Sequence, residues 1–558
     1  MKMRDFLGFV AVLSLAALAG CSRANMSIPY LQKQGSAAHM VVDGKPFLML
    51  AGELHNSTTS SLDFVKAEWS QLAAMRLNTV LAPVYWELIE PKEGQFDFAL
   101  VDGQIRAAQS NRLRLVFLWF GSWKNGTSSY VPVWVKTAQD RFPRVQNQDG
   151  KSLELLSTLS AASRDADSRA FAALMRHIKE VDSQRRVIMI QVENEVGIVG
   201  DARDRSEAAN KAFAEPVPKE LLDYMSGHKE TLHPQFRQAW EAAGSKTSGS
   251  WEEVFGKGPY TDEIFTAWNY ARYVGAVAAA GKAEYALPMY VNAWCSFWGK
   301  SPGTNWNSGG PNPQVEDAWK AGAPAIDVRS PDMGGTLDIR DVVNWYHTPG
   351  NPLFIPEASG AAGGNNVFYA VGQHDAMGFS PFGIDSLLVN PGPGGPADLP
   401  LARSYAIIEQ LAPLILESQG KGKMAGVIAI ADEPPQKIAL GNYVLEVSYT
   451  RPRRPPAPPA TPAPSRPPDR AGALFIAVGP DEYITAGSGP VDVSFSPNTP
   501  GDPIAGIVSI DEGVFVEGRW VPGRRLNGDE NGQGRYVRLR GGTLPNGSIQ
   551  RVKLYRYR

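Results

Sequence analysis

The sequence predicts an α/β fold, a (β/α)8 TIM barrel followed by a small C-terminal β-sandwich domain, on three observations. Between about Pro46 and Gly420, eight short apolar runs alternate with stretches whose apolar residues recur at helical spacing, and eight is the number that closes a parallel barrel. After Gly420 the helical spacing gives way to short β-rich runs bounded by Gly, Pro, Asn and Asp. With 558 residues and 43% hydrophobic content, the chain is long enough for a large core and a second domain.

The elements follow in order. Met1-Lys2-Met3-Arg4-Asp5 carries positive charge, Phe6 to Ala19 is an apolar segment too short to span a membrane, and Leu18-Ala19-Gly20-Cys21 closes it with small residues. This resembles a bacterial lipoprotein signal peptide over residues 1–20, and the resemblance implies lipidation of Cys21. A lipid-anchored protein of the bacterial cell envelope is then expected, with the membrane as partner through that anchor. Ser22 in place of an aspartate implies the outer membrane, facing the periplasm. Lipidation would leave Cys295 alone, so no intramolecular disulfide is expected, and Cys295, near Trp294 and Phe297, reads as a buried small hydrophobe.

The catalytic barrel is expected over 40–420. Its predicted strands are Phe47–Glu53, Thr79–Trp86, Leu113–Phe120, Val187–Glu195, Pro288–Ala293, Ala325–Val328, Leu353–Glu357 and Met377–Pro381. Ser60 with Asp63 reads as a capping box for the first helix, where Leu62, Val65, Trp69, Leu72 and Met75 share a face. The last helix carries Leu401, Tyr405, Ile408, Leu411 and Ile415 on one face, and Pro413 predicts a kink or an early stop. Between strands four and five, about 201–286 is longer than one crossover helix requires and is read as a barrel helix plus an inserted lid or wall beside the mouth. The accessory β-sandwich is expected over 421–558, with the proline-rich run 451–468 as a disordered loop between two of its strands, since neither flank could be a complete domain.

The formal net charge is −2 with well-mixed signs, which gives no reason to expect nucleic acid or an acidic polymer as partner. The 14 tryptophans fit sugar stacking and ordinary core packing equally well. Chemistry in such a barrel comes from the carboxyl ends of its strands. Those ends read Gly52-Glu53-Leu54-His55-Asn56, Tyr85-Trp86-Glu87 with Glu90, Gly121-Ser122-Trp123-Lys124-Asn125-Gly126, Glu193-Asn194-Glu195, Tyr290 with Asn292 and Trp294, Asp327 with Arg329, Ser330 and Asp332, Glu357, and Gln373-His374-Asp375. Any one of these could be a solvated loop charge; so many on one rim points to a site.

Two glutamates at the ends of strands on opposite sides of a barrel are what glycoside hydrolysis needs: a proton donor and a carboxylate for the anomeric carbon. Glu195 and Glu357 are the expected pair, at the separation of a retaining enzyme. The apolar run before Glu195 raises its pKa, as an acid requires, and Asn194 would donate to the sugar 2-hydroxyl. Glu193 is the rival; strand alternation puts it on the face of Glu195, deeper in the barrel, in a supporting role. Glu53, Tyr85, Trp123, Tyr290, Asn292 and Trp294 complete the expected substrate contacts.

Four stretches carry a closer resemblance: Gly52-Glu53-Leu54-His55, the run Trp69 to Val80, the run Tyr85 to Phe98 with Trp86, Glu90-Pro91 and Gly94, and Gln191-Val192-Glu193-Asn194-Glu195-Val196-Gly197. Together they resemble glycoside hydrolase family 35, retaining (β/α)8 enzymes that are mainly exo-acting β-galactosidases. The resemblance covers about 40–420, and the C-terminal domain is similar to the accessory domain of a compact bacterial subgroup. It implies Glu195 as acid/base, Glu357 as nucleophile of a covalent glycosyl-enzyme, and Asn194 and Tyr85 as sugar contacts. The chain departs from the family at two places. Gly121-Ser122-Trp123 stands where many members have Ala-Glu-Trp, whose glutamate helps read galactose hydroxyls, and Glu87-Leu88-Ile89-Glu90-Pro91 stands for Asn-x-His-Glu-Pro.

The expected partner is therefore a carbohydrate bearing terminal β-galactosyl residues, with plant hemicellulose oligosaccharides as one candidate source. No cofactor and no metal is expected; His55 and His374 lack zinc-like spacing, and each is read as a sugar contact or a structural support. Two alternatives stand beside this: another retaining exo-glycosidase, a β-glucosidase or α-L-arabinopyranosidase, and an inactive glycan-binding lipoprotein. The sequence does not set the oligomeric state.

Overall fold

The structure is a computed structural model that describes residues 27–295, 301–333, 337–360, 363–450, 469–540 and 549–558. The signal segment 1–20, Cys21 and the proline-rich run 451–468 lie outside the described residues. Eight parallel strands close into a barrel in sequence order: β1 Met49–Glu53, β2 Thr79–Tyr85, β3 Arg114–Lys124, β4 Val187–Asn194, β5 Met289–Trp294, β6 Val328–Met333, β7 Ile355–Ala358 and β8 Gly378–Pro381. Lumenal side chains Met49, Ala51, Leu81, Val116, Leu118, Ile188, Val328, Phe354 and Met377 form a buried apolar cluster, with Tyr85 and Tyr290 toward the mouth. A three-stranded meander, Tyr30–Gln34, Ala37–Val42 and Lys45–Phe47, adds Met40 and Val42 to this cluster and plugs the lumen from below. The carboxyl ends of the strands are left to polar groups.

Three predicted elements are corrected. Strand six is Val328–Met333 rather than Ala325–Val328. Its sequence, Val-Arg-Ser-Pro-Asp-Met, is buried throughout but half polar, so the apolar pattern stops short of it. Ser61, not Ser60, caps the first helix by accepting from the Phe64 amide, and that helix is broken into Leu62–Val65 and Glu68–Ala74. The last helix runs through Pro413 to Ser418 instead of stopping. Pro413 is on its exposed side, where the carbonyl that loses its partner is open to solvent.

The helices α1 Ala161–Val181 and α2 Pro259–Glu284 cover strands β3 and β4 and pack closely. A Cβ at Gly281 would lie 2.3 Å from the Phe171 ring, so this crossing requires glycine. Before α2 the inserted stretch is a wall of short helices, Glu207–Ala214, Lys219–Gly227, Pro234–Ala242 and Trp251–Phe255. Helices α3 Gly363–His374 and α4 Pro400–Ser418 complete the side that meets the second domain.

That domain holds β9 Met424–Ile430, β10 Gln436–Leu440, β11 Tyr443–Tyr449, β12 Arg470–Gly479, β13 Glu482–Gly487, β14 Pro490–Pro497, β15 Ile504–Val516, β16 Arg519–Leu526, β17 Val537–Arg540 and β18 Ile549–Tyr557. A six-stranded antiparallel sheet, β9-β12-β13-β18-β15-β16, faces a four-stranded one, β10-β11-β14-β17, across a core that includes Val427, Leu445, Phe475, Tyr483, Val493 and Val552. The other face of the large sheet, with Ile428, Leu474, Ile476 and Ile484, belongs to the same buried cluster as the barrel helices. The sandwich therefore shares its core with the barrel.

Close backbone approach makes that junction. A Cβ on Gly372 of α3 would sit 2.4 Å from Leu474 Cδ1 and 2.9 Å from Gly426 Cα. Gly372→Val should wedge α3 off the sheet and destabilise the chain by about 1–3 kcal/mol, seen as a lower Tm in calorimetry; an unchanged Tm would contradict this packing.

Candidate active site

The end of β4 departs from strand geometry. Glu193 and Glu195 both have left-handed backbone conformations, φ 61° and 42°, on either side of Asn194. Period-two alternation fails there, which corrects the expectation that Glu193 shares the face of Glu195. Glu193 instead turns out toward the helices, where Oε2 accepts from the Trp123 amide at 2.8 Å. Its other oxygen faces Asp167 of α1, which also accepts from Trp119 Nε1 at 2.9 Å and Ser122 Oγ at 2.6 Å. Two buried carboxyls in contact make a hydrogen bond only if one keeps its proton, and burial together with the Asp167 charge raises Glu193 well above the usual carboxyl range.

Glu195 turns the other way, into the mouth. Its amide donates to Asn292 Oδ1 at 3.0 Å, its carbonyl accepts from Asn307 Nδ2, and its Oε2 accepts from Asn125 Nδ2. Asn292 Nδ2 also donates to Asp332 Oδ2, so one amide on β5 ties Glu195 to Asp332. Asp332 is directly beside Glu357 in the parallel register of β6 and β7. Glu53, at the end of β1, is 1% exposed and joins them. Four carboxyls thus converge, with the Lys124 ammonium among them.

Their electrostatics follow from crowding. Burial raises Glu357, the Glu195 charge raises it further and Lys124 opposes, leaving it pushed up to about 7. Burial raises Glu195 as well, against Lys124 and a hydrogen bond with Asp332. Glu53 and Asp332 are pushed well above the carboxyl range, first by burial and then by the charge of Glu357.

Most of the predicted contacts gather here. The Asn194 carbonyl oxygen Oδ1 accepts from Lys124 at 2.9 Å, and its Nδ2 is buried without a protein partner. Tyr85 stacks on Tyr130, ring centroids 5.7 Å apart, with its hydroxyl on Thr59 at 3.0 Å. Tyr290 lies beneath the carboxyls with its hydroxyl unpartnered, and Trp294 stands at the rim, 45% exposed. Trp123 is a correction. The shifted register at the end of β3 turns it outward, where it is fully buried, packs on Tyr270 and Tyr273 of α2 and donates to the Leu156 carbonyl. It cannot touch a ligand in the mouth.

The rim expected from sequence is also smaller. Asp327 precedes β6 and binds Lys282 at 2.6 Å. His374 and Asp375 end α3 at the opposite end of the barrel, where burial pushes His374 down to about 4. His55 does stay on the rim, 2.7 Å from Asp385. Cys295 is buried, beside Asp332 and Tyr346. Asp332, Lys124 and Asn125 are the functional residues that carried no assigned role. Asn125-Gly126 held a legible signal, an Asn-Gly turn, whereas Asp332 was masked by the misplaced strand.

Carboxyls converging at the carboxyl ends of β1, β4, β6 and β7 supply the kind of paired groups that glycoside hydrolysis needs. Residues 39–301 match the family model of Glycosyl hydrolases family 35. Residues 401–538, spanning α4 and most of the sandwich, match a model described as Domain of unknown function (DUF5597). A beta-galactosidase from Xanthomonas manihotis is 30% identical over 198 residues, 34% of this chain and 30% of that protein, so the match spans less than a third of the relative. Among solved structures, beta-galactosidase from Bacillus circulans sp. alkalophilus has a TM-score of 0.45 at 14% identity, over 66% of this chain and 57% of that one. The beta-galactosidase from Rahnella sp. R3 has a TM-score of 0.45 at 16% identity, over 68% and 58%.

The raised carboxyls set a stability window. Between about pH 4.5 and 7 folded Glu357 holds a proton that the unfolded chain releases, so its contribution is full below pH 4.5 and is lost as pH rises through 7. The loss is on the order of 3 kcal/mol. Glu357→Gln should therefore raise Tm at pH 8 and leave it near the parent value at pH 4.5. Equal melting temperatures of the two proteins at both pH values would contradict the burial of this charge.

Proposed function

We propose that the chain is a retaining, exo-acting β-galactosidase that releases terminal β-galactosyl residues from oligosaccharides. The observation that carries this reading is the pairing of Glu195 and Glu357 in one buried cluster, where the charge of one raises the other. Two such carboxyls lose their protons in two steps that belong to the pair, so over a range of pH they hold one proton between them. A double displacement starts from the one-proton form of this pair whose proton is on Glu195.

In the first step the Glu357 carboxylate attacks the anomeric carbon while Glu195 gives its proton to the glycosidic oxygen. The C–O bond breaks, the alcohol leaves, and galactose is esterified to Glu357. Glu195, now a carboxylate, takes a proton from water; the water oxygen bonds the anomeric carbon and Glu357 departs as carboxylate. The β configuration is kept. Asn194 Nδ2 supplies a donor to the 2-hydroxyl, and Glu53 and Tyr290 offer further polar groups at the floor. Galactose as the glycone is supported by the family model that residues 39–301 match and by the activity named for the Xanthomonas manihotis relative. The lipoprotein-like leader supports anchoring at the cell envelope.

A panel of nitrophenyl glycosides tests the reading, with the β-galactoside expected to turn over fastest and the β-glucoside and α-L-arabinopyranoside slower. Glu357→Gly should lose nearly all turnover. Glu195→Ala should lose it too but recover with azide on an activated aryl galactoside, yielding β-galactosyl azide. Parent-like activity in both variants would overturn the assignment.

A further inference from the structure

Strand β3 ends in a cation on a tight turn, two residues beyond Ser122. Lys124 and Thr127 exchange both backbone hydrogen bonds, at 2.8 and 3.0 Å, across Asn125 and Gly126, whose φ values are 52° and 66°. Those two left-handed residues make the two-residue turn that Asn-Gly favours. The turn is wedged against the segment after β4, since a Cβ on Gly126 would lie 3.2 Å from the Gly197 carbonyl oxygen. It presents two donors to two consecutive residues: Lys124 Nζ to Asn194 Oδ1, and Asn125 Nδ2 to Glu195 Oε2.

Lys124 is 5% exposed, with Nζ 5.0 Å from the centroid of the Phe120 ring. Among the described residues it forms no ion pair, so the ammonium is spent on the Asn194 amide and on the field it exerts. An amide whose oxygen is held by an ammonium can only present its NH2 to a ligand, and Asn194 Nδ2 is the buried group left without a partner. A carboxylate in place of Lys124 would reverse that amide and present an acceptor.

We propose that Lys124 is a positioning and specificity-determining residue, which locks the Asn194 amide with its NH2 toward the sugar 2-hydroxyl and supplies the fixed positive charge of the carboxyl cluster. This rests on the β-galactosidase reading. The groups facing that charge are Glu53 on β1, Glu195 after β4, Asp332 on β6 and Glu357 on β7, and Lys124 opposes the rise of all four. Tyr290 on β5 lies under the same carboxyls.

The test compares the parent enzyme with Lys124→Met on nitrophenyl β-galactoside and on its 2-deoxy analogue, across pH. Loss of the oriented donor should lower kcat/KM on the galactoside by about 100-fold. The penalty for removing the 2-hydroxyl, large in the parent, should shrink to a few-fold in the variant. Both limbs of the pH profile should move up by about one unit, because a favourable charge has left the carboxylates. In an Asn194→Ala background the same substitution should no longer affect 2-hydroxyl discrimination. Should the methionine variant not fold, Lys124→Gln, which keeps a donor but removes the charge, should still move both limbs of the pH profile up. An unshifted profile with parental 2-hydroxyl discrimination overturns this inference alone; absence of turnover by the parent on any glycoside overturns the reading beneath it, and this with it.

Discussion

Four carboxyls crowded into the barrel mouth are the constraint on which the rest of the structure depends. Glu53, Glu195, Asp332 and Glu357 lie close enough to raise one another, and a low-dielectric site cannot hold all four ionised. The protein meets this cost with protons kept on some of them, with the Lys124 ammonium, and with the amides of Asn292 and Asn125, which donate to Asp332 Oδ2 and Glu195 Oε2. The same crowding that destabilises the folded chain at alkaline pH would, in the proposed mechanism, supply an acid and a nucleophile from identical side chains.

Backbone strain is part of that arrangement. Left-handed glutamates cost of order 1–3 kcal/mol each, and both Glu193 and Glu195 are held so by hydrogen-bond partners. Asp167 and the Trp123 amide fix the first, while Asn292, Asn307 and Asn125 fix the second. The pair of turns swings one carboxyl out and the next one in, so that neighbours two apart in sequence do unlike work. Around them the wall of short helices, α1 and α2, and the sandwich packed on α3 and α4 make the scaffold stiff. The sandwich shares its core with the barrel through Ile428, Leu474 and Ile484, and a brace fits that packing better than a tethered module would.

How much of this was legible follows from where apolar patterning survives. Strands such as Val187-Ile188-Met189-Ile190 and Thr79–Tyr85 are buried on both faces, announce themselves as apolar runs, and lead directly to Glu195 and Tyr85 at their ends. Strand β6 is buried too, but its burial is of Arg329, Ser330 and Asp332, so a hydrophobic criterion ended it early and took the start of the strand for its end. Trp123 was read as a sugar contact because its position on the rim was legible and its face was not; a register shift of β3 decides the face. Glu193 failed for the same reason, since alternation holds only where φ stays negative. Lys124 stood in plain view, but its value depends on an amide 70 residues away, a pairing that only the folded barrel creates.

The central claim is that Glu357 forms the bond to the sugar while Glu195 moves the proton. It is tested most directly by inactivating the enzyme with a 2-deoxy-2-fluoro-β-galactoside carrying a good leaving group, then mapping the modified residue by peptide mass spectrometry. Fluorine slows hydrolysis of the glycosyl-enzyme more than its formation, so the intermediate should accumulate. The account predicts a single 2-fluorogalactosyl ester on Glu357, formed with loss of activity. A label on Glu195, Asp332 or Glu53, or turnover with no covalent species, would contradict it.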